Sequence, residues 1–172
     1  MSDWETIARQ TVNSILHNVL NTRVVEIYLH RSPGKDNGGD RAIAGLDYQV
    51  QAQGFVIQRG TTAADGKIDM SVRGASSTLQ LLYNGAVVSE YEVSVSTAAL
   101  DPAANMEGQK QRLRLLGYHI GHGGPDGNGV DNVNNMEFER SVLDFQVDCG
   151  ILGDANVTPD IQNRLTNQVN SI

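Results

Sequence analysis

Apolar positions along the chain change period twice. Near the N-terminus they fall at Trp4, Ile7, Ala8, Val12, Ile15, Leu16, Val19 and Leu20, the spacing that gives an α-helix of about five turns one apolar face. Ser2 and Glu5 stand three residues apart at its start, a capping box in which each side chain satisfies a backbone N–H of the first turn. From Val24 to Val95 the period becomes two, with alternating runs at 24–29, 46–50, 54–57, 67–72, 78–83 and 87–95. Turn signals separate the runs: Ser32-Pro33-Gly34, Asn37-Gly38-Gly39, Ala64-Asp65-Gly66-Lys67 and Asn84-Gly85. Short alternating strands at this spacing predict an antiparallel β-sandwich.

After Asn105 the helical period returns. Leu113, Leu115 and Leu116 run up to Gly117, a C-terminal stop for a first helix. Phe138, Val142, Phe145 and Cys149 recur on a second, with Met136, Leu143 and Val147 beside them, so that its apolar stripe is broad and must be covered. Thr158-Pro159-Asp160 supplies a cap, a proline at the first helical position and an acid at the positive end of the helix dipole. That third helix carries Ile161, Leu165 and Val169 on one face, and the three stripes can share one core. The chain therefore divides into a helix over 1–22, a sandwich over 23–96, a linker STAALDPAAN whose centre is 97–104, and a helical domain over 105–172.

Charge and composition narrow the partners. A formal net charge of −7 argues against nucleic acid, which needs a clustered basic face. Lys110, Arg112 and Arg114 are a short cluster expected to form a solvated helix face. No apolar run approaches the roughly 20 residues that span a bilayer, so no membrane partner is expected. The N-terminus has neither a basic leader region nor a continuous hydrophobic segment, which predicts cytoplasmic synthesis without a Sec-type signal. The lone cysteine, Cys149, excludes an intramolecular disulfide, and its place on the apolar stripe predicts an inert thiol.

Candidate chemistry is sparse. His119 and His122, with Asp126 and Asp131, can be drawn as a zinc site, but their spacing has no recognised ligand geometry. Counted from Asp126 as a calcium loop, the fifth position is Val130 and the sixth is Asp131 where the turn wants glycine, which excludes a true EF-hand. Incidental calcium binding through side-chain oxygens stays open; no metal site and no cofactor are expected. There is no Gly-x-Ser-x-Gly elbow and no phosphate loop. Glu107, Glu137, Glu139 and Asp144 read as charged helix faces rather than a glycosidase pair, so no enzyme is expected.

Two resemblances add to this reading. The stretch 105–165 carries Leu115-Leu116-Gly117-Tyr118, then Val142, Phe145-Gln146, Gly150-Ile151, Asp154, Val157, Pro159 and Leu165. In that order and spacing it resembles the peptidoglycan-binding domain family, with its QxxLxxLGY, FQxxxGL and DGxxGPxTxxxL pieces. It departs where the family has Asp-Gly and Phe-Gly-Pro, which here are Asp131-Asn132 and Asn134-Asn135-Met136. The resemblance implies ligand contacts at Tyr118, Asp131, Asn132, Asn134 and Gln146, as groups that stack on or hydrogen-bond to sugar and stem peptide. The GTTAADGK hairpin at 60–67 resembles the immunoglobulin-like or transthyretin-like sandwich of carboxypeptidase regulatory-type domains.

The combination resembles small proteins of contractile injection machines and type VI secretion spikes. The expected fold class is α+β in two domains, an N-terminal amphipathic helix and antiparallel β-sandwich followed by a small three-helix peptidoglycan-binding-like domain. The expected function is non-catalytic peptidoglycan binding by a component or cargo of such an apparatus, which would deliver the protein to the periplasm or a target cell. Its partners would be the wall and a spike or baseplate protein, the latter through Trp4, Ile7, Ile15, Leu16 and Val19. The alternative is a structural adaptor that uses both domains for protein contacts without wall binding.

Overall fold

A computed structural model describes residues 22–33 and 41–171. Six strands come first, β1 (Thr22–Tyr28), β2 (Asp47–Ala52), β3 (Phe55–Thr61), β4 (Lys67–Arg73), β5 (Ser76–Tyr83) and β6 (Ala86–Ser94). Three helices follow, α1 (Met106–Leu115), α2 (Met136–Asp148) and α3 (Pro159–Val169). This corrects the expected fold class. The described chain opens on a strand, is mostly β with two sheets, and has its helices after the strands rather than before them. The physical reason is that the first described residues already take the two-residue period and pair with β4, from Thr22 opposite Arg73 to Tyr28 opposite Lys67. The helix expected over 1–22, and with it the partner surface at Trp4, Ile7, Ile15, Leu16 and Val19, lies outside the described residues apart from Thr22, which is in β1.

The described residues fall into two compact units, residues 22–30 with 41–97, and residues 31–33 with 98–171. In the first unit β1 and β4 make a two-stranded sheet, and β3-β2-β5-β6 a four-stranded one; all pairings are antiparallel. Alternation turns one face of β2, β4 and β5 inward. Tyr48 and Val50 of β2, Ile68, Met70 and Val72 of β4, and Leu79 and Leu81 of β5 form one core, with Val25 and Ile27 of β1 against it. Gln58 of β3 joins the two sheets. Its Nε2 donates to the Asp69 carbonyl at 2.7 Å and its Oε1 accepts from the Ser71 N–H at 2.8 Å, so one side chain satisfies β4 as a neighbouring strand would.

Turns close this unit where small or amide residues permit positive φ. Asn84 and Gly85, at φ 51° and 77°, connect β5 to β6. Gly66, at φ 79°, stands where a Cβ would meet the Leu29 carbonyl oxygen at 2.4 Å, so the Asp65-Gly66 turn needs glycine for both conformation and space. On the outward face of the larger sheet a polar row crosses all four strands. Arg59 donates to Gln49, Gln49 and Gln51 donate to Gln80, and Gln80 donates to Glu90.

The helical unit encloses a second core. Leu113, Leu116, Tyr118, Ile120, Phe138, Val142, Phe145, Ile161 and Leu165 are all buried, and Phe145, Val142 and Leu165 have no exposed surface. Asn135 caps α2 by accepting from the Phe138 N–H at 2.8 Å. Thr158 caps α3, with Pro159 at its first turn. Gly117, at φ 87°, ends the α1 segment. Residues 101–104, expected as linker, are instead bound to α1. Arg112 Nη1 donates to the Asp101 carbonyl at 2.7 Å, Gln111 and Asp101 exchange two hydrogen bonds, and Gln109 donates to the Ala103 carbonyl. A Cβ on Gly108 would stand 2.3 Å from the Pro102 oxygen, so the segment packs directly on the helix backbone.

Candidate functional site

Of the five ligand positions implied by the family resemblance, two point into the helical core. Tyr118 is 3 % exposed, meets the Phe145 ring edge to face at 5.9 Å, and donates its hydroxyl hydrogen bond to Asp148 at 2.7 Å. Gln146 is 2 % exposed and spends its whole amide on the turn before α3. Its Oε1 accepts from the N–H groups of Asp154 and Ala155, each at 3.0 Å, while Nε2 donates to Asp154 Oδ1 at 2.7 Å and to the Asn156 carbonyl at 3.2 Å. Both side chains build the unit, and neither presents its polar end to solvent for a sugar.

The other three lie together on the segment before α2. Asp131 accepts from Lys110 Nζ and from the Val133 N–H at 3.1 Å. The Lys110 ammonium, and secondly the Val133 N–H, hold the Asp131 carboxyl below the usual carboxylate range. Lys110 itself is fully buried; it also donates to the Val133 carbonyl at 2.7 Å and lies 5.5 Å from the centre of the Phe138 ring. Asn132 and Asn134 face outward, donating through Nδ2 to Glu107 at 3.0 Å and to Glu139 at 2.9 Å. The result is a rigidly anchored backbone that displays two amides and two carboxylates.

The burial of Lys110 overturns the expectation of a solvated basic face, and Arg112, 8 % exposed, does the same. The spacing could have shown it. Lys110 falls four residues after Met106 and three before Leu113, which is the core-facing interval of α1. Glu107 and Glu139, read from sequence only as helix-face charges, are the partners that orient the two asparagines.

The preceding loop, 119–131, is stitched to itself and to α2. Ser141 Oγ donates to the His119 carbonyl at 2.5 Å, Gly129 N–H to the Gly123 carbonyl at 2.7 Å, and Val130 N–H to Asn128 Oδ1 at 2.9 Å. The His119 and His122 rings stand 5.1 Å apart. Among the described residues no three His, Cys, Asp or Glu side chains converge in a group that could hold a metal ion. Cys149 accepts from Gln168 Nε2 at 3.5 Å, and burial pushes its thiol pKa up, away from the reactive thiolate. No described helix is long and apolar enough to cross a membrane.

Comparison with known proteins finds no matching protein-family model, no similar characterised protein and no similar solved structure.

Proposed function

We propose that this protein is a non-catalytic peptidoglycan-recognition module acting as a component or cargo of a contractile injection or type VI secretion apparatus. The observation that carries the reading is the fixed pair of exposed amides, Asn132 and Asn134, on a segment anchored by the Lys110–Asp131 pair. Each amide gives its Nδ2 to a glutamate, which turns its Oδ1 toward use as an acceptor for a hydroxyl or acetamido N–H. Preorganised groups of this kind bind sugars without an ordering cost at the moment of contact. The acids fit a recognition role rather than lysis: Glu107 and Glu139 orient the asparagines, and Asp144 faces Arg140 across one helical turn.

Cosedimentation with purified sacculi tests the reading. The full chain is expected in the pellet, with binding reduced about tenfold, equivalent to one or two lost hydrogen bonds, in the Asn132→Ala, Asn134→Ala double variant. Protein that stays in the supernatant at both low and physiological salt overturns it.

A second reading, an adaptor that binds only proteins of the apparatus, is favoured by the exposed side chains of β5 and β6. Tyr83, Val88 and Tyr91 are 66 %, 60 % and 50 % exposed. Capture of spike or baseplate proteins by the full chain, abolished by Val88→Glu with Tyr91→Glu and accompanied by no sacculus binding, would select this reading over the first.

A further inference from the structure

Helix α2 is apolar on two sides. One side is the core stripe of Phe138, Val142 and Phe145; the other carries Met136, Leu143 and Val147, which are 82 %, 36 % and 66 % exposed. A helix that needs only one buried face has no use for the second stripe unless something covers it. The patch does not end with the helix. Gly153 lies against Leu143 and Val147, with its Cβ position 3.1 Å from Leu143 Cδ2, and the neighbouring Leu152 is 89 % exposed.

The residue order along the stripe admits a two-fold pairing, and the charges beside it point to a second copy as the occupant. Met136, Arg140, Leu143 and Val147 are spaced four, three and four apart, so the stripe has the same spacing read in either direction. We propose that this face is a seam for a second copy of the chain, with the two α2 helices antiparallel about a two-fold axis between Ser141 and Val142. Met136 then packs on Val147 of the second copy, and Leu143 on the aliphatic stem of Arg140 of the second copy.

The charges agree with that register. Arg140 is largely exposed and reaches Asp144 of its own helix only at 4.0 Å, the outer limit of an ion pair. Across the two-fold axis each Arg140 comes opposite Asp144 of the second copy, which makes two intermolecular pairs. A parallel arrangement would instead put Arg140 beside Arg140.

The test is sedimentation equilibrium of the full chain from low-micromolar to near-millimolar concentration. A monomer–dimer equilibrium is expected. Leu143→Glu is expected to leave only monomer, and Arg140→Asp or Asp144→Arg alone to weaken the dimer about tenfold through two like-charge contacts. The double variant Arg140→Asp, Asp144→Arg is expected to restore association to within about threefold of the parent. All these positions are exposed, and a parent-like far-ultraviolet circular dichroism spectrum confirms that each variant is folded. A parent chain that is monomeric throughout, a dimer unaffected by Leu143→Glu, or a charge exchange that fails to restore association overturns the seam.

Discussion

Replacing Gln146 with leucine keeps the side chain's size while deleting all four hydrogen bonds to residues 154–156. A neutral bond contributes about 0.5–1.5 kcal/mol net and the one to the Asp154 carboxylate somewhat more, but the receiving turn is exposed enough for water to replace part of what is lost. The expected destabilisation of the helical unit is therefore about 2–3 kcal/mol. A second substitution shows whether the bonds act as described. Ala155 sits at φ 59°, a left-handed conformation that costs a non-glycine residue about 1–2 kcal/mol, and its N–H is one of the groups that Gln146 holds. Ala155→Gly removes that strain but gains unfolded-chain entropy, for a net stabilisation of about 0.5–1 kcal/mol. Once Gln146 is gone the turn is free to relax, and the same change is expected to become neutral or slightly destabilising. Native-state hydrogen exchange at the Val142, Phe145 and Leu165 amides reports the opening free energy of this unit within the full chain. A Gln146→Leu change below about 0.5 kcal/mol, or an equal Ala155→Gly gain in both backgrounds, would refute the reasoning.

Further expectations rest on other contacts. Phe145→Ala, at a position with no exposed surface, is expected to cost the helical unit about 3–5 kcal/mol by the same exchange measurement. Gly60→Ala would place a Cβ 2.7 Å from the Tyr48 hydroxyl oxygen and 2.9 Å from Cζ; a loss of about 1–3 kcal/mol in urea unfolding of the sandwich is expected, partly recovered in the Tyr48→Phe background, and an additive double variant would contradict the contact. Because Asp131 is held below its ordinary pKa in the folded chain, its stabilisation is complete above an unfolded value of about 4 and is lost as pH falls through the lower folded value. Asp131→Asn should therefore flatten the acid limb of the helical unit's stability curve, leaving the part due to Asp154, whose carboxyl the Asn156 N–H and then Gln146 also hold low. Parallel curves for variant and parent below pH 4 would exclude the ion pair as a source of acid sensitivity.

What could be read from the residues was local. Two-residue alternation is plainest in β2, β4 and β5, where buried residues mark one face, as in the Ile68, Met70, Val72 series of β4. Asp65-Gly66, Asn84-Gly85 and Thr158-Pro159 mark turns and a cap because their chemistry is complete within three or four residues. Several roles that escaped sequence reading depend on partners far along the chain. Nothing near Gln58 announces that it will serve the backbone of β4, and although the Met106, Lys110, Leu113 interval faces Lys110 inward, its counter-ion Asp131 lies 21 residues away. Two of the five candidate ligand positions depend on the fold in the same way. The letters Tyr118 and Gln146 sit where the family pattern places them, but only the fold shows that their polar atoms are already committed to Asp148 and to the turn at 154–156.

These commitments leave the short segment in front of α2 as the place where the proposed recognition falls. A fully buried ammonium is stable only while its counter-ion stays in place, since removing one partner of a buried pair leaves an uncompensated charge. Lys110 therefore ties α1 to Asp131 and to the Val133 carbonyl, and through them fixes the backbone that carries Asn132 and Asn134. Asn135 then caps α2 and fixes where that helix begins, while Phe138, Val142 and Phe145 in the core set which way its outer stripe faces. The amide display and the proposed seam thus adjoin at the start of α2. Weakening Lys110–Asp131 should disturb the proposed sugar contact first and the proposed association second, because the cap bond of Asn135 to Phe138 stands between the ion pair and the stripe.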